Sequence, residues 1–134
     1  MEKYTIAKDI KLVCKTIPTF PRGIKEGFEE LIGKFGAGKQ SYAFSYMDKD
    51  GNIVYKAAVP EPAEGDAVKY GYEPFTLAKG NYLSETMRDW MPKTDQIKDI
   101  FGQLMKDSRY DDSYPCVEIY KDLEEMVCLV RIKQ

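Results

Sequence analysis

Two kinds of hydrophobic pattern alternate along the first half of the chain. Residues 10–16 alternate apolar and polar positions, which is the period of a β-strand with one buried face. Apolar residues then recur at helical spacing over 24–35, with charged residues on the other face, and Gly36 is suited to end this helix. Residues 41–47 and 53–59 predict two more strands, and the Asp, Gly and Asn residues between them are typical of a hairpin turn.

The second half repeats this order of elements. A strand is predicted over 74–79, and 80–83 continues or restarts it. An amphipathic helix follows over 97–105, with Thr94 or Asp95 near its N-cap. Two final strands are predicted over 116–120 and 126–132.

The repeated order predicts one α+β domain over 1–134, built from two pseudo-twofold-related β-α-β-β units. The first unit spans about 8–60 and the second about 72–134, and the Pro, Gly and charged residues of 60–71 form a linker. Each unit would cover one face of an antiparallel sheet with its main helix, so the other faces would enclose a central ligand cleft. Superposing the two hairpins places Tyr46 over Tyr120 and Phe44 over Glu118.

Composition narrows the function classes. The chain has 134 residues, 43% of them hydrophobic, and a net charge of −2 without a basic stripe, so no direct nucleic-acid partner is expected. No apolar run is long enough for a membrane span, and the charged N-terminus is not a signal peptide. We therefore expect a cytoplasmic protein without a membrane partner.

The chain has no histidine, which removes the commonest general base and transition-metal ligand. Cys14, Cys116 and Cys128 are widely spaced and flanked by apolar residues, which predicts buried strand thiols rather than disulfides or a metal knuckle. No metal and no cofactor are expected, and any chemistry would depend on carboxylates, Tyr or Lys.

Two short motifs resemble ligand loops. Residues 33–39 fit G-x-x-x-x-G-K, but Gln40 follows where Ser or Thr should stand, and the loop follows a helix instead of a strand. Asp48, Asp50 and Asn52 resemble the start of a calcium loop, but the sixth position is Ile53 instead of Gly. A helix-exit loop and a hairpin turn are the predictions.

Glu118 is the most informative residue because it interrupts an apolar strand. Strand geometry puts Val117 and Ile119 on one face and Glu118 with Tyr120 on the other. If Val117 and Ile119 pack under the helix, Glu118 points into the cleft between the units. The alternative is a Glu118 that is exposed to solvent or paired with a basic residue, Arg131 or Lys56. The candidate ligand-binding residues are Glu118, Trp90, Tyr82, Tyr120, Tyr46 and Phe44, and no catalytic residue is assigned.

Residues 75–82 (FTLAKGNY), then Trp90, an amphipathic helix and 114–120 (YPCVEIY) resemble the second half of a GyrI-like small-molecule-binding domain. This family is similar to the effector domains of AraC-type and MerR-type multidrug-sensing regulators. The resemblance implies an aromatic cleft in which Glu118 binds a lipophilic, often cationic compound, with Tyr82, Trp90 and Tyr120 as walls. Many members carry a Glu on the last strand, where this chain has Cys128-Leu129-Val130-Arg131.

No helix-turn-helix precedes the predicted domain, so we expect a stand-alone effector-binding domain for sensing or sequestration. Two alternatives remain open. A hydrolase of strained electrophiles would use Glu118 as base and Tyr82 or Tyr120 as acid. A protein-inhibiting module would use acidic patches such as 111–112 and 124–125. The ligand's identity and the oligomeric state stay open.

Overall fold

The computed structural model of the chain describes residues 1–36 and 40–134. The strands are β1 (Glu2–Ile6), β2 (Ile10–Thr16), β3 (Ser41–Met47), β4 (Ile53–Pro60), β5 (Glu73–Leu77), β6 (Gly80–Arg88), β7 (Cys116–Tyr120) and β8 (Glu125–Arg131). The helices are α1 (Ile24–Phe35), the short α2 (Asp66–Lys69) and α3 (Ile97–Leu104), and a 3₁₀ segment (Met91–Gln96) leads into α3.

All eight strands form one antiparallel sheet in the order β1-β6-β8-β7-β3-β4-β2-β5. The predicted α+β class is therefore confirmed. The first four strands of this order mirror the last four, so the β3–β7 pair lies at the centre and the two edge strands lie at the ends. Each half carries one main helix: α1 packs against β4 and β2, and α3 packs against β8 and β6.

The two sheet faces are buried in different ways. On the helix-covered face, one core forms around Leu31 of α1 and another around Phe101 and Leu104 of α3. The opposite face contributes residues from all eight strands to one core that contains no residue of α1 or α3. Residues of one sheet face can form a single core with one another only if the sheet curls around them. We call the core on this concave face the inner core. Both faces of the central strands are consequently apolar.

The predicted superposition of the two hairpins is wrong. Phe44 belongs to the inner core, whereas Glu118 pairs across the strands with Ala43 on the helix-covered face. A twofold axis perpendicular to a sheet keeps each residue on its own face, so Phe44 cannot be equivalent to Glu118, and Tyr46 cannot be equivalent to Tyr120. The β3–β7 ladder is centred on the pair Ala43 and Glu118.

Three other local expectations changed. Residues 2–6 form an edge strand that the pattern analysis did not predict, and a short helix lies inside the predicted linker. Thr94 and Asp95 lie near the start of α3, as expected, but Gln96 occupies the N-cap position and no side chain caps the helix. Among the described residues, none of the helices has the length and apolarity that a membrane crossing needs.

The two loop motifs have structural roles where they are described. Residues 33–35 belong to α1 and Gly36 ends it, while residues 37–39 of the G-x-x-x-x-G-K motif lie outside the described residues. The Asp48 carboxylate accepts hydrogen bonds from the backbone N–H groups of Asp50 and Asn52, at 2.9 Å each. The 48–52 segment is thus a hairpin turn closed by its own side chain, as predicted.

Candidate functional site

Glu118 lies in the middle strand pair of the sheet, beneath the helix layer. Its cross-strand neighbours are Ala43 of β3 and Cys128 of β8, and only 6% of its surface is exposed. Val117 and Ile119 pack in the inner core, so the condition that they pack under a helix is not met. Glu118 nevertheless points between the two helical cores. The helices cover the face of β7 that carries Glu118, and not the face that carries Val117 and Ile119.

Both alternatives to a Glu118 that points between the units are excluded, solvent exposure by its 6% exposed surface and pairing by the positions of the basic residues. Arg131 donates to the backbone oxygens of Ala78 and Lys79, at 3.3 Å and 3.1 Å. Lys56 forms an ion pair with Glu73 at 3.0 Å. Among the described residues, Glu118 forms no salt bridge, so a buried carboxyl group stands without a cationic partner.

The Glu118 carboxyl is coupled to two tyrosines. The Tyr120 hydroxyl donates a hydrogen bond to Glu118 Oε1. The Tyr55 hydroxyl, from the first half of the sheet, lies beside the Tyr120 hydroxyl. Burial raises the pKa of the Glu118 carboxyl to about 7, against the lowering effect of the Tyr120 hydrogen bond. Near neutral pH the carboxyl is therefore divided between its two protonation states.

Aromatic rings surround this network. Tyr120 meets Phe28 of α1 edge-to-face with ring centroids 6.0 Å apart, and it meets Trp90 with centroids 4.9 Å apart. The Trp90 indole N–H donates to the backbone oxygen of Asp122 at 3.1 Å, which holds the indole against the β7–β8 hairpin. Phe20 stacks on Tyr55 with centroids 4.7 Å apart. The carboxyl thus lies in an apolar setting built from both halves of the chain.

Tyr120 fills the space between the two helical cores. It packs against the core of α1 and also against the core of α3. The depressions that stand out on the surface lie elsewhere, one of about 190 Å³ beside Val68 and Phe75 and one of about 390 Å³ beside Tyr70 and Tyr72. In this conformation the rings close over Glu118 instead of leaving an open cleft.

The six predicted ligand-binding residues divide into two groups. Glu118, Tyr120 and Trp90 are brought together under the helices. Tyr82 and Phe44 lie in the inner core on the other side of the sheet. Tyr46 continues the alternation of Phe44 near the end of β3, where its ring is 43% exposed and lies 5.9 Å from Lys56 Nζ. These last three residues do not share a site with Glu118.

Tyr82 has a different local environment. Its hydroxyl donates to the backbone oxygen of Ala78 at 2.6 Å and accepts from the Arg131 guanidinium at 2.9 Å. The guanidinium also lies 5.2 Å from the ring centroids of Tyr82 and Tyr114. Burial raises the pKa of Tyr82. These contacts connect β6 to β8 and to the loop after β5. The Tyr82 hydroxyl uses its proton in the bond to the Ala78 backbone oxygen and accepts from the Arg131 guanidinium.

Sequence reasoning missed three residues of the site, Tyr55, Phe28 and Phe20. The alternation of Tyr55 with Ala57 and Val59 places it on the same face as Ala43, but the cross-strand register was needed to bring it to Tyr120. Phe28 was assigned only to the apolar stripe of the first helix. The sequence does contain a signal for Phe28, because an aromatic residue stands there near the centre of that stripe.

The cysteines are free thiols, and two of them adjoin the carboxyl. Cys14 and Cys128 are buried, whereas Cys116 is half-buried, with its Sγ 3.9 Å from Met105 Sδ. Burial raises the pKa of the Cys116 thiol to about 11. Cys128 occupies the position opposite Glu118 on the last strand, so no second carboxylate joins the site from there. Residues 1–36 and 40–134 contain no cluster of three or more metal-ligating side chains.

Comparison with known proteins identifies the fold. No protein-family model matches the sequence, and no curated protein matches it significantly. The structure of SAV2435 bound to tetraphenylphosphonium matches with a TM-score of 0.70 at 18% identity, over 98% of this chain and 93% of that chain. The C-terminal domain of EcmrR matches with a TM-score of 0.62 at 11% identity, over 99% of this chain and 96% of that chain. The chain has a GyrI-like fold.

One of the structures that match this fold is described as an enzyme. A hydrolase from Listeria innocua matches with a TM-score of 0.60 at 9% identity, over 98% of this chain and 91% of that chain. At such identities the similarity is one of fold alone. The function must be argued from the Glu118 site.

Proposed function

We propose that this GyrI-like chain binds a small aromatic or lipophilic cation between its two helical cores, for sensing or sequestration. The observation that carries the proposal is Glu118, a buried carboxyl under aromatic rings with no basic partner among the described residues. An unpaired buried charge is costly unless a counter-charge or several hydrogen bonds compensate it. A bound cation would supply the counter-charge.

The surrounding rings favour the same class of ligand. Trp90 and Phe28 flank Tyr120 from the two helical cores. A cation held against desolvated aromatic faces gains about 1–2 kcal/mol per ring beyond ordinary burial. Flat hydrophobic groups would also replace the contacts that the rings now make with one another.

Entry of a ligand requires a movement of Tyr120. Its ring occupies the space between Phe28 and Trp90, and its hydroxyl covers Glu118 Oε1. Side-chain rotation would open this space without breaking a sheet hydrogen bond, because only the phenol ring has to leave. The tetraphenylphosphonium held by SAV2435, a lipophilic cation, supports the ligand class and provides a first probe.

The test is tetraphenylphosphonium binding measured by calorimetry at about pH 8, where Glu118 is mostly ionised. Glu118→Gln keeps the shape of the side chain and removes its charge, and it is expected to weaken binding by at least about tenfold, since a buried ionic contact is worth more than 1.4 kcal/mol. Glu124→Gln makes the same charge change on an exposed hairpin residue and is the matched control. A dissociation constant that Glu118→Gln leaves unchanged would count against the proposal, as would absence of binding to the wild-type chain.

Hydrolysis is a second candidate, favoured by one observation. Glu118 has a raised pKa and accepts a hydrogen bond from Tyr120, so a base and a proton donor lie side by side in an apolar site. Tyr82 is on the opposite sheet face and is unsuited to act with Glu118. Turnover of an epoxide that Glu118→Gln abolishes would support this candidate, and stoichiometric binding without product would contradict it.

A further inference from the structure

The hydrogen-bond partners of Glu118 restrict its ligand more closely than charge does. A carboxylate has two oxygens and accepts up to about four hydrogen bonds. Tyr120 is the donor that the described residues provide, and it serves Oε1. Oε2 accepts from none of those residues, and it keeps some contact with solvent, because no fully buried side-chain oxygen among them lacks a partner.

Entry of a ligand lowers the number of hydrogen bonds that the Glu118 carboxylate accepts. The ring of Tyr120 fills the space between the two helical cores, so an entering molecule displaces the group that donates to Oε1. Tyr55 lies beside the hydroxyl of Tyr120 and is stacked on Phe20, and it forms no hydrogen bond with the carboxylate. The facing positions on the neighbouring strands are Ala43, which has no polar side-chain atom, and Cys128, a weak donor.

From this geometry we propose that the site selects aromatic cations that carry an N–H donor, such as protonated amines and amidinium groups, over quaternary cations of the same shape. The inference rests on the proposed function and names the ligand class of the same site. A protonated amine supplies both the charge and the missing hydrogen bond. A quaternary cation supplies only the charge, and it leaves Oε1 without a donor once the Tyr120 hydroxyl has been displaced.

The expected preference is large enough to measure. A hydrogen bond between two charged groups in a buried site corresponds to about tenfold to hundredfold in affinity. The opposing effect is the lower hydration of a quaternary cation, which makes its transfer into an aromatic site easier. A site governed by the rings alone would therefore favour the quaternary compound, and the two explanations predict opposite orders of affinity.

The experiment compares two naphthalene derivatives at about pH 8, N,N-dimethyl-1-naphthylmethylamine and its N-methylated trimethylammonium form. Both carry one positive charge on the same ring system and differ by one N–H against one N–CH₃. Calorimetry on the wild-type chain is expected to give at least about tenfold tighter binding of the protonated amine. In Glu118→Gln the ratio is expected to fall below about threefold, because a neutral amide oxygen is a weaker acceptor. Glu124→Gln should keep the wild-type ratio.

The outcomes separate this inference from the proposed function. Equal or tighter binding of the quaternary compound overturns the inference and leaves cation binding intact. A tenfold preference that persists in Glu118→Gln also overturns it, because the donor would then be read by another group. Failure of the wild-type chain to bind either compound or tetraphenylphosphonium overturns the proposed function, and the inference with it.

Discussion

Replacing Glu118 by Gln is expected to stabilise the unliganded protein at alkaline pH. The carboxyl has a pKa of about 7 in the folded chain against a reference value of 4.5, because burial disfavours its ionised form. A difference of about 2.5 units corresponds to about 3 kcal/mol once the group is ionised in both states. Gln keeps an oxygen that accepts from Tyr120 and carries no charge, so it avoids this cost.

The sign of the pH dependence follows from proton counting. Between pH 4.5 and about 7 the folded state holds a proton at Glu118 that the unfolded state has released. Stability therefore falls as pH rises through this window, and it is level above the folded pKa. The groups facing Glu118 are the phenols of Tyr120 and Tyr55 and the thiols of Cys116 and Cys128, all with pKa values raised well above this window.

The assay is urea unfolding of the wild-type chain, Glu118→Gln and the exposed control Glu124→Gln at several pH values from about 4.5 to 8.5. The quantity of interest is the difference in free energy of unfolding between each variant and wild type, in which the other carboxylates cancel. Glu118→Gln should gain about 3 kcal/mol relative to wild type across this range, most of it between pH 5 and 7. A difference that is flat with pH, or one that shifts in favour of wild type as pH rises, would refute a buried carboxyl with a raised pKa.

Two further predictions concern the scaffold. Within α1, Gly33→Ala should stabilise the chain by about 0.5–1 kcal/mol, since an added Cβ meets nothing within 4 Å. Gly27→Ala should be less stable than Gly33→Ala, since its Cβ would lie 2.4 Å from Ile17 Cδ1 and this buried methyl group would have to shift. Urea unfolding of the two variants compares them, and equal effects would contradict the packing described. Arg131→Met should lower the free energy of unfolding by about 2 kcal/mol in thermal or urea unfolding, because the guanidinium donates to Ala78, Lys79 and Tyr82. The same variant should keep its tetraphenylphosphonium affinity within about twofold of wild type, since Arg131 lies on the other sheet face from Glu118. A large loss of affinity in Arg131→Met would show that the two faces are coupled.

Much of the local structure was predictable from hydrophobic periodicity. The bounds of β2, α1, β3 and β7 agree with the predicted segments, because each combines a clear period with a terminating Gly, Pro or turn residue. Edge strand β1 was missed because Glu2, Lys3 and Thr5 are exposed and give it little apolar signal. An edge strand needs only one partner and one partly buried face, so its pattern is weak.

The candidate site was predictable only in part. Glu118 stands out in any reading of β7, because a carboxylate inside an apolar strand is rare, and Tyr120 follows from the period of two. Trp90 was chosen as the single Trp, and it does meet Tyr120. Tyr82 and Phe44 were assigned to the same wall by their aromatic character, although they pack on the other face. Aromatic residues suit a packed core and a ligand wall equally well, so composition cannot separate the two.

The sequence by itself determined the order of the strands and helices other than β1 and α2, the α+β class and the fact that Glu118 and Val117 point in opposite directions. These features depend on neighbours along the chain, and a local period is sufficient to define them. The tertiary structure alone decided which direction is covered by the helices. Both faces of β7 are buried, one by the helical cores and one by the curled sheet itself, so the apolar pattern is the same on each side. The partners of Glu118 come from strands and helices far apart in the chain, and only the register of the whole sheet brings them together.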